Sequence, residues 1–296
     1  MSLSDKALLL SVDFSMPGGK KVDKKVSNDI AKQYGIEGGR RSAGNFNKNL
    51  IDSKYLKEPL NIKRHVTKAF DNMTLPWLTD GIKINLLPNS RFLEFSKVWR
   101  DSKRKMDQYI WNLENGLYDE MMQDGEVRLN GDSEGLFSEW DYPPVETFVA
   151  KFKMEHFVRP VPNADDLDLS VAVGDEQAEI IKKEVKESVE KQYEESRKAL
   201  CDRIIKTVKH MKSVLSAEKP VIHETLMEKM TDLVDILPEL NFSEDQELDE
   251  IRSLIRDELI EDVQTLRDDE FIQQDVLDST SDILNKMEKI YDLRPI

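Results

Sequence analysis

Between Asp175 and Leu215 the chain contains neither proline nor glycine. Apolar residues recur through this stretch at Ile181, Val185, Val189, Tyr193, Leu200, Ile204, Val208, Met211 and Leu215, in steps of three, four or seven. That is the period of one face of an α-helix. The stretch predicts a helix of about 40 residues, roughly 60 Å long at about 1.5 Å per residue. Shorter helical patterns follow it. One starts at Pro220 and carries Leu226, Met230, Leu233 and Leu237. After a break at Pro238 to Ser243, where Ser243 and Gln246 offer a capping box, a second carries Leu248, Ile251, Ile255, Leu259 and Val263. A last one runs from about Asp268 through Ile272, Val276, Ile283, Met287 and Ile290. Short connections favour antiparallel neighbours packed as hairpins or a bundle.

The chain before this region reads differently. Ala7 to Phe14 reads as a strand that ends at the turn signal Met16-Pro17-Gly18-Gly19. Val22, Val26 and Ile30 predict a helix from Lys21 to about Gln33. Phe46, Leu50 and Leu56 predict a second, basic helix near 46–56, and Pro59 is placed to start a third. Residues 74–88 read as an ordered loop or short extended piece. A helix is expected from about Arg91 to Gln123, then an irregular glycine-marked segment, a short helix after Pro143-Pro144, and an extended run at 157–162. Alternation of Leu167, Leu169, Val171 and Val173 predicts a second strand. The expected fold is therefore mainly α, of the α+β kind. An α+β domain over 1–173, with a small sheet, precedes a domain of long helices over 174–296.

Charge follows the chain unevenly. Residues 1–68 hold 14 Lys or Arg against 7 Asp or Glu, a net +7, whereas residues 235–296 hold 6 against 19, a net −13. Surface charge serves solubility first. Such polarity also suits one end to an anionic partner and the other to a basic one. The apolar runs fall far short of the roughly 20 residues of a membrane-spanning helix, and the N-terminus lacks the pattern of a signal peptide. The single cysteine, Cys201, excludes an internal disulfide and a four-cysteine zinc site, which makes the cytoplasm the default compartment.

Motif after motif is incomplete. A phosphate loop would need a glycine where Phe14 stands and a hydroxyl where Lys21 stands. His223-Glu224 resembles the start of a zinc-protease signature, but Met227 occupies the second histidine position. Asn130 to Asp141 has oxygen-bearing residues and Gly135 at calcium-loop positions. It also has Asn at position 1, the short Asp141 at position 12 and two prolines in the exiting helix, so an acidic surface loop is the better reading. Cys201 has no evident companion, and Asp165-Asp166-Leu167-Asp168 reads as a polar turn. No catalytic, cofactor-binding or metal-ligating residue is assigned. The basic set of the N-terminal third is Lys20, Lys21, Lys24, Lys25, Lys32, Arg40, Arg41, Lys48, Lys54, Lys57, Lys63 and Arg64. It suits nucleic acid, an acidic protein or the chain's own acidic helices.

Several landmarks together resemble an uncharacterised family of tailed phages and bacteria. They are the opening strand with Gly18-Gly19-Lys20-Lys21-Val22-Asp23-Lys24-Lys25-Val26-Ser27, then Leu75-Pro76-Trp77, Asp80-Gly81 and Leu87-Pro88. Asp141-Tyr142-Pro143 with Phe148 and Phe152, and Pro160-Val161-Pro162, complete the set. The resemblance covers about residues 5–173. Members of that family look like genomic neighbours of a MoxR-type AAA+ ATPase and a von Willebrand factor A domain protein. The resemblance thus implies a non-enzymatic phage accessory or adaptor protein in the host cytoplasm, acting through protein–protein contacts with such an ATPase. It carries over no site residue. The partner contacts expected from the residues themselves are Trp77, Leu78, Lys20, Lys21, Lys24, Lys25, Arg40 and Arg41. The alternatives are a nucleic-acid-associated protein using the basic N-terminal third and a self-assembling structural protein.

Overall fold

The computed structural model describes residues 2–78, 81–130, 135–167 and 174–292. In chain order its elements are α1 (Leu3–Lys6), β1 (Ala7–Ser15), β2 (Lys20–Asp23), α2 (Lys24–Gln33), α3 (Arg40–Ala43), β3 (Phe46–Asn49), α4 (Ser53–Met73), β4 (Leu75–Leu78), β5 (Ile84–Pro88), α5 (Phe92–Asn112), α6 (Tyr118–Leu129), α7 (Val145–Val149) and β6 (Lys153–Pro160). Then come α8 (Asp175–Leu215), α9 (Glu224–Leu240), α10 (Gln246–Leu254), α11 (Val263–Asp268) and α12 (Glu270–Asp292). The chain is mainly helical, with long helices and a small antiparallel sheet of order β4-β5-β1-β6, the α+β class that the sequence predicts. Two compact units form. The larger comprises Met1–Val12, Ala69–Phe95 and His156–Ile296, and the smaller Asp13–Lys68 and Ser96–Glu155.

In the larger unit β1 lies antiparallel to β5, with Leu9 opposite Leu86, and β4 lies antiparallel to β5, with Leu75 opposite Leu86. Ala7, Leu9, Leu75, Trp77 and Leu86 join one core with the helices. To that core α8 contributes Leu200, Ile204, Val208 and Met211, α9 Met230 and Leu237, and α12 Ile283 and Met287. The predicted long stripe is therefore real, and its C-terminal half is fully covered. Edge strand β4 tolerates Pro76, which donates no ladder hydrogen bond, and the Ser196 hydroxyl of α8 donates to the Pro76 carbonyl. Residue 173, the expected boundary, lies outside the described residues, as do 168–173 of the second predicted strand. The helices after it share a unit with residues 1–12 and 69–95.

Local readings are refined or corrected at several places. Residues 74–88 take the extended form of the two offered, as two short strands that bring Leu75, Trp77 and Leu86 onto the core. Residues 20–23 and 46–49 are also strands, paired antiparallel with Lys21 opposite Lys48. Asp23 then caps α2, its carboxylate accepting from the Val26 amide at 3.0 Å, so that helix starts at Lys24. The expected helix over 91–123 breaks at Asn115 and Gly116, whose φ of +115° suits glycine, and resumes as α6 to Leu129. In the C-terminal region Asp245, not Ser243, caps α10, and α9 runs through Pro238 to Leu240.

Pro59 does not start a helix. It lies inside α4. A proline there withdraws the N–H that would bond to the carbonyl four residues earlier, at Tyr55. The buried Tyr109 hydroxyl donates to that carbonyl instead, at 2.8 Å. Tyr109→Phe is expected to destabilise the chain by about 1–2 kcal/mol, because the freed carbonyl loses its donor. Pro59→Ala, which restores the amide, is expected to recover much of that loss. Urea denaturation of the two single variants and the double variant checks the coupling.

Candidate functional site

The structure places the expected contact residues at unlike depths. Lys20, Lys24, Lys25 and Arg41 are exposed. Lys21 pairs with Asp141 at 2.9 Å, and Arg40 donates to the Asn45 side chain at 3.2 Å. Leu78 is exposed, but Trp77 is 6% exposed and packed in the larger unit's core, so it is core rather than surface. The expected near-misses gain no ligand geometry. Cys201 is buried, and burial pushes its thiol up. His223 precedes α9 as its cap residue, and no cluster of His, Cys, Asp or Glu suited to a metal occurs among the described residues. Residues 131–134 of the calcium-loop reading lie outside the described residues.

Asp141, the last position of that loop, is already engaged by lysines. The Lys48 ammonium is buried between Asp23, at 3.1 Å, and Asp141, and donates to the Leu136 carbonyl at 3.1 Å. Burial pushes the Lys48 ammonium down, but its hydrogen bonds to Asp141 and Asp23 outweigh this and hold it above the usual lysine range. The Val26 amide, and then Lys48, hold Asp23 below the usual carboxylate range. Burial opposes ionisation of Asp141, yet Lys48 and Lys21 together keep it low. This ion cluster ties β2 and β3 to the 139–141 turn. It uses four charges, Lys21, Lys48, Asp23 and Asp141, for structure.

The smaller unit's free charge gathers elsewhere. Residues 53–68 of α4 carry Lys54, Lys57, Lys63, Arg64 and Lys68 against Glu58, a net +4. Residues 96–105 of α5 carry Lys97, Arg100, Lys103, Arg104 and Lys105 against Asp101, also +4. The two helices frame an open cleft of about 650 Å³, lined by Lys54, Lys57, Asn61, His65, Ser102 and Lys105, with Glu58 in its wall. A second depression of about 560 Å³ lies along α5, lined by Lys97, Trp99, Arg100, Asp101, Lys103 and Arg104. Some of these charges are internally paired. Lys54 meets Asp124 at 2.6 Å, Lys103 meets Asp107 at 2.6 Å, and Arg104 meets Asp101. Among the described residues no carboxylate pairs with Lys57, Lys63, Lys97 or Lys105.

Sequence reasoning found the α4 half of this surface and missed the α5 half. The signal was present as five basic residues within Lys97–Lys105. That segment reads first as a core helix, through Phe95, Trp99 and Met106, which are indeed buried. The charge partition is sharper by unit than along the chain. The smaller unit has 21 Lys or Arg against 19 Asp or Glu, a net +2, and the larger has 22 against 39, a net −17.

The chain matches no protein-family model and no solved structure. A stretch of 115 residues, 38% of the chain, is 31% identical to a probable transcription factor of Arabidopsis thaliana, of which it covers 32%. The chain thus spans about a third of the length of the curated relative it matches.

Proposed function

We propose that the chain is an accessory or adaptor protein that acts through protein–protein contacts rather than by catalysis. The observation that carries this reading is the N-terminal half of α8. There Ile180 is exposed and Ile181 and Val185 are half-buried, in contrast to the covered stripe from Leu200 onward. These side chains alternate with Glu179, Lys182, Lys183, Glu184, Lys186 and Glu187. An amphipathic helix with an open apolar stripe and a mixed charged rim suits a partner helix. The family resemblance of residues 5–173 supports a MoxR-type AAA+ ATPase of a phage or its host as that partner.

The reading is tested by co-expressing the chain with such an ATPase and recovering the complex. Ile181→Asp with Val185→Asp is expected to abolish recovery while leaving the melting temperature within a few degrees, since both positions are only half-buried. Recovery unchanged by the double substitution, or no complex with the unaltered chain, would defeat the reading.

A second reading, association with nucleic acid, has its own observation in the α4–α5 surface.

A further inference from the structure

The geometry points to a phosphodiester-binding track on the smaller unit, formed by the facing basic surfaces of α4 and α5. This rests on the second reading and places its site on the α4 members of the N-terminal basic set together with α5, rather than on the lysines of α2. Lys57 and Lys105 face one cleft with Asn61 and Ser102, which adds neutral hydrogen-bonding groups beside the charges. Lys97, Arg100 and Arg104 follow one another on α5 at steps of three and four residues, and so recur along one helix face. Lysines placed this way hold phosphates as point charges and read no base sequence.

The net charge of −15 does not forbid this. Exposed charges are screened beyond about 10 Å at 0.1 M salt. A phosphate in the cleft therefore responds chiefly to the charges that line it, Lys54, Lys57 and Lys105 against Glu58. The exposed lysines of α2 make a weaker site. Lys24 and Lys25 share their surroundings with Asp23 and Asp29, and Lys21 and Lys48 are consumed by Asp141 and Asp23. The α4–α5 surface keeps Lys57 and Lys105 in the cleft and Lys97 in the second depression without carboxylate partners among the described residues. It is also concave, so several ammonium groups reach one strand together.

The test is fluorescence anisotropy with the full chain and labelled mixed-sequence oligonucleotides, single-stranded in one arm and duplex in another, with a labelled poly-glutamate peptide in a third. Contact by these three unpaired lysines predicts a slope of about −2.1 in log affinity against log salt for a single strand, and steeper for a duplex. Lys57→Glu with Lys105→Glu is expected to weaken oligonucleotide binding by about tenfold or more and to flatten the slope by about 1.4. Lys57→Gln with Lys105→Gln should give a smaller loss, and circular dichroism confirms that these exposed substitutions leave the fold intact. Lys24→Glu with Lys25→Glu should change affinity by less than about twofold.

The outcomes separate the site from the reading beneath it. No binding of either oligonucleotide by the unaltered chain at low salt would remove the nucleic-acid reading altogether. Binding lost through Lys24 and Lys25 but not through Lys57 and Lys105 would keep that reading and overturn this site. Poly-glutamate bound as tightly as the oligonucleotides would overturn it as well, in favour of an acidic protein.

Discussion

Lys48→Met is expected to lower stability by about 3–5 kcal/mol at pH 7, the range for removing one partner of a buried ion pair. Methionine keeps most of the aliphatic volume, so packing changes little. The change leaves Asp23 and Asp141 as poorly solvated carboxylates that share one neighbourhood. Asp141 keeps Lys21 and Asp23 keeps the Val26 amide, which sets the loss below that of two orphaned charges. Acid should reveal the cause. In the native protein both carboxyls titrate below their ordinary value, so the stability they contribute is present above the unfolded-state value near pH 4. It is lost as pH falls through the lower native values. In the variant, protonation instead relieves the stranded charges. The gap between the two proteins should therefore narrow on going from pH 7 to about pH 3.5. Urea denaturation at both pH values measures it. A gap of equal size at the two would mean that Lys48 acts by packing rather than by charge. Lys48→Met combined with Asp141→Asn should recover part of the loss at pH 7.

Lys48 also shows where sequence reasoning stops. It reads as one more member of a basic set, because its partners lie 25 and 93 residues away and no local pattern points to them. The same holds for the strands it joins. Each of β2 and β3 is four residues long and rich in lysine and asparagine, types depleted in strands. Their pairing across more than twenty intervening residues is set by tertiary contacts. The spacing of Val22, Val26 and Ile30 imitated a helix start at Lys21, and the cap at Asp23 overrode it. In the same way Pro59 reads as a helix start until the distant Tyr109 hydroxyl takes over the carbonyl it frees. By contrast α8 was legible because its signal is internal: no breaker over its length and one apolar period. β1 was legible for the same reason, as an apolar run closed by Pro17 and two glycines.

The candidate site falls between these cases. Its α4 lysines stand in a visibly basic stretch, but its α5 half alternates on one helix with buried Trp99, Met106 and Tyr109. Hydrophobic periodicity reports only the covered face of such a helix, and the exposed face becomes a site only when another element lies beside it. The charge pattern behaves alike. The chain enters and leaves the smaller unit within β1, α4, α5 and β6, so acidic and basic residues far apart in sequence are sorted into units of +2 and −17. A linear window over the first 68 residues saw only part of that sorting.

Gly125→Ala, normally a favourable change inside a helix by about 1 kcal/mol, is expected to destabilise this protein by about 3 kcal/mol. Gly125 is buried in α6, where a Cβ would lie 2.0 Å from the Tyr142 hydroxyl oxygen and 2.9 Å from the Leu50 carbonyl oxygen. That carbonyl gathers contacts. It accepts from the Tyr142 hydroxyl at 2.7 Å and from the Arg128 guanidinium at 3.0 Å, which fixes the end of β3 against α6. A methyl group at 125 must push the Tyr142 ring away or part α6 from the Leu50 backbone. The first outcome breaks a buried hydrogen bond, worth about 1–3 kcal/mol when its groups are left unpaired. The second opens packed contacts, at about 1–3 kcal/mol for overpacking. Either exceeds the gain in helix propensity. Tyr142→Phe removes the closest atom, so Gly125→Ala should cost less in that background, by roughly 1–2 kcal/mol. Relief should stay incomplete, because the Leu50 carbonyl cannot be mutated away. Thermal or urea denaturation of the four proteins in this cycle decides the matter. A neutral or stabilising Gly125→Ala would mean that α6 can shift at no cost, and that the glycine is not what lets helix and backbone approach.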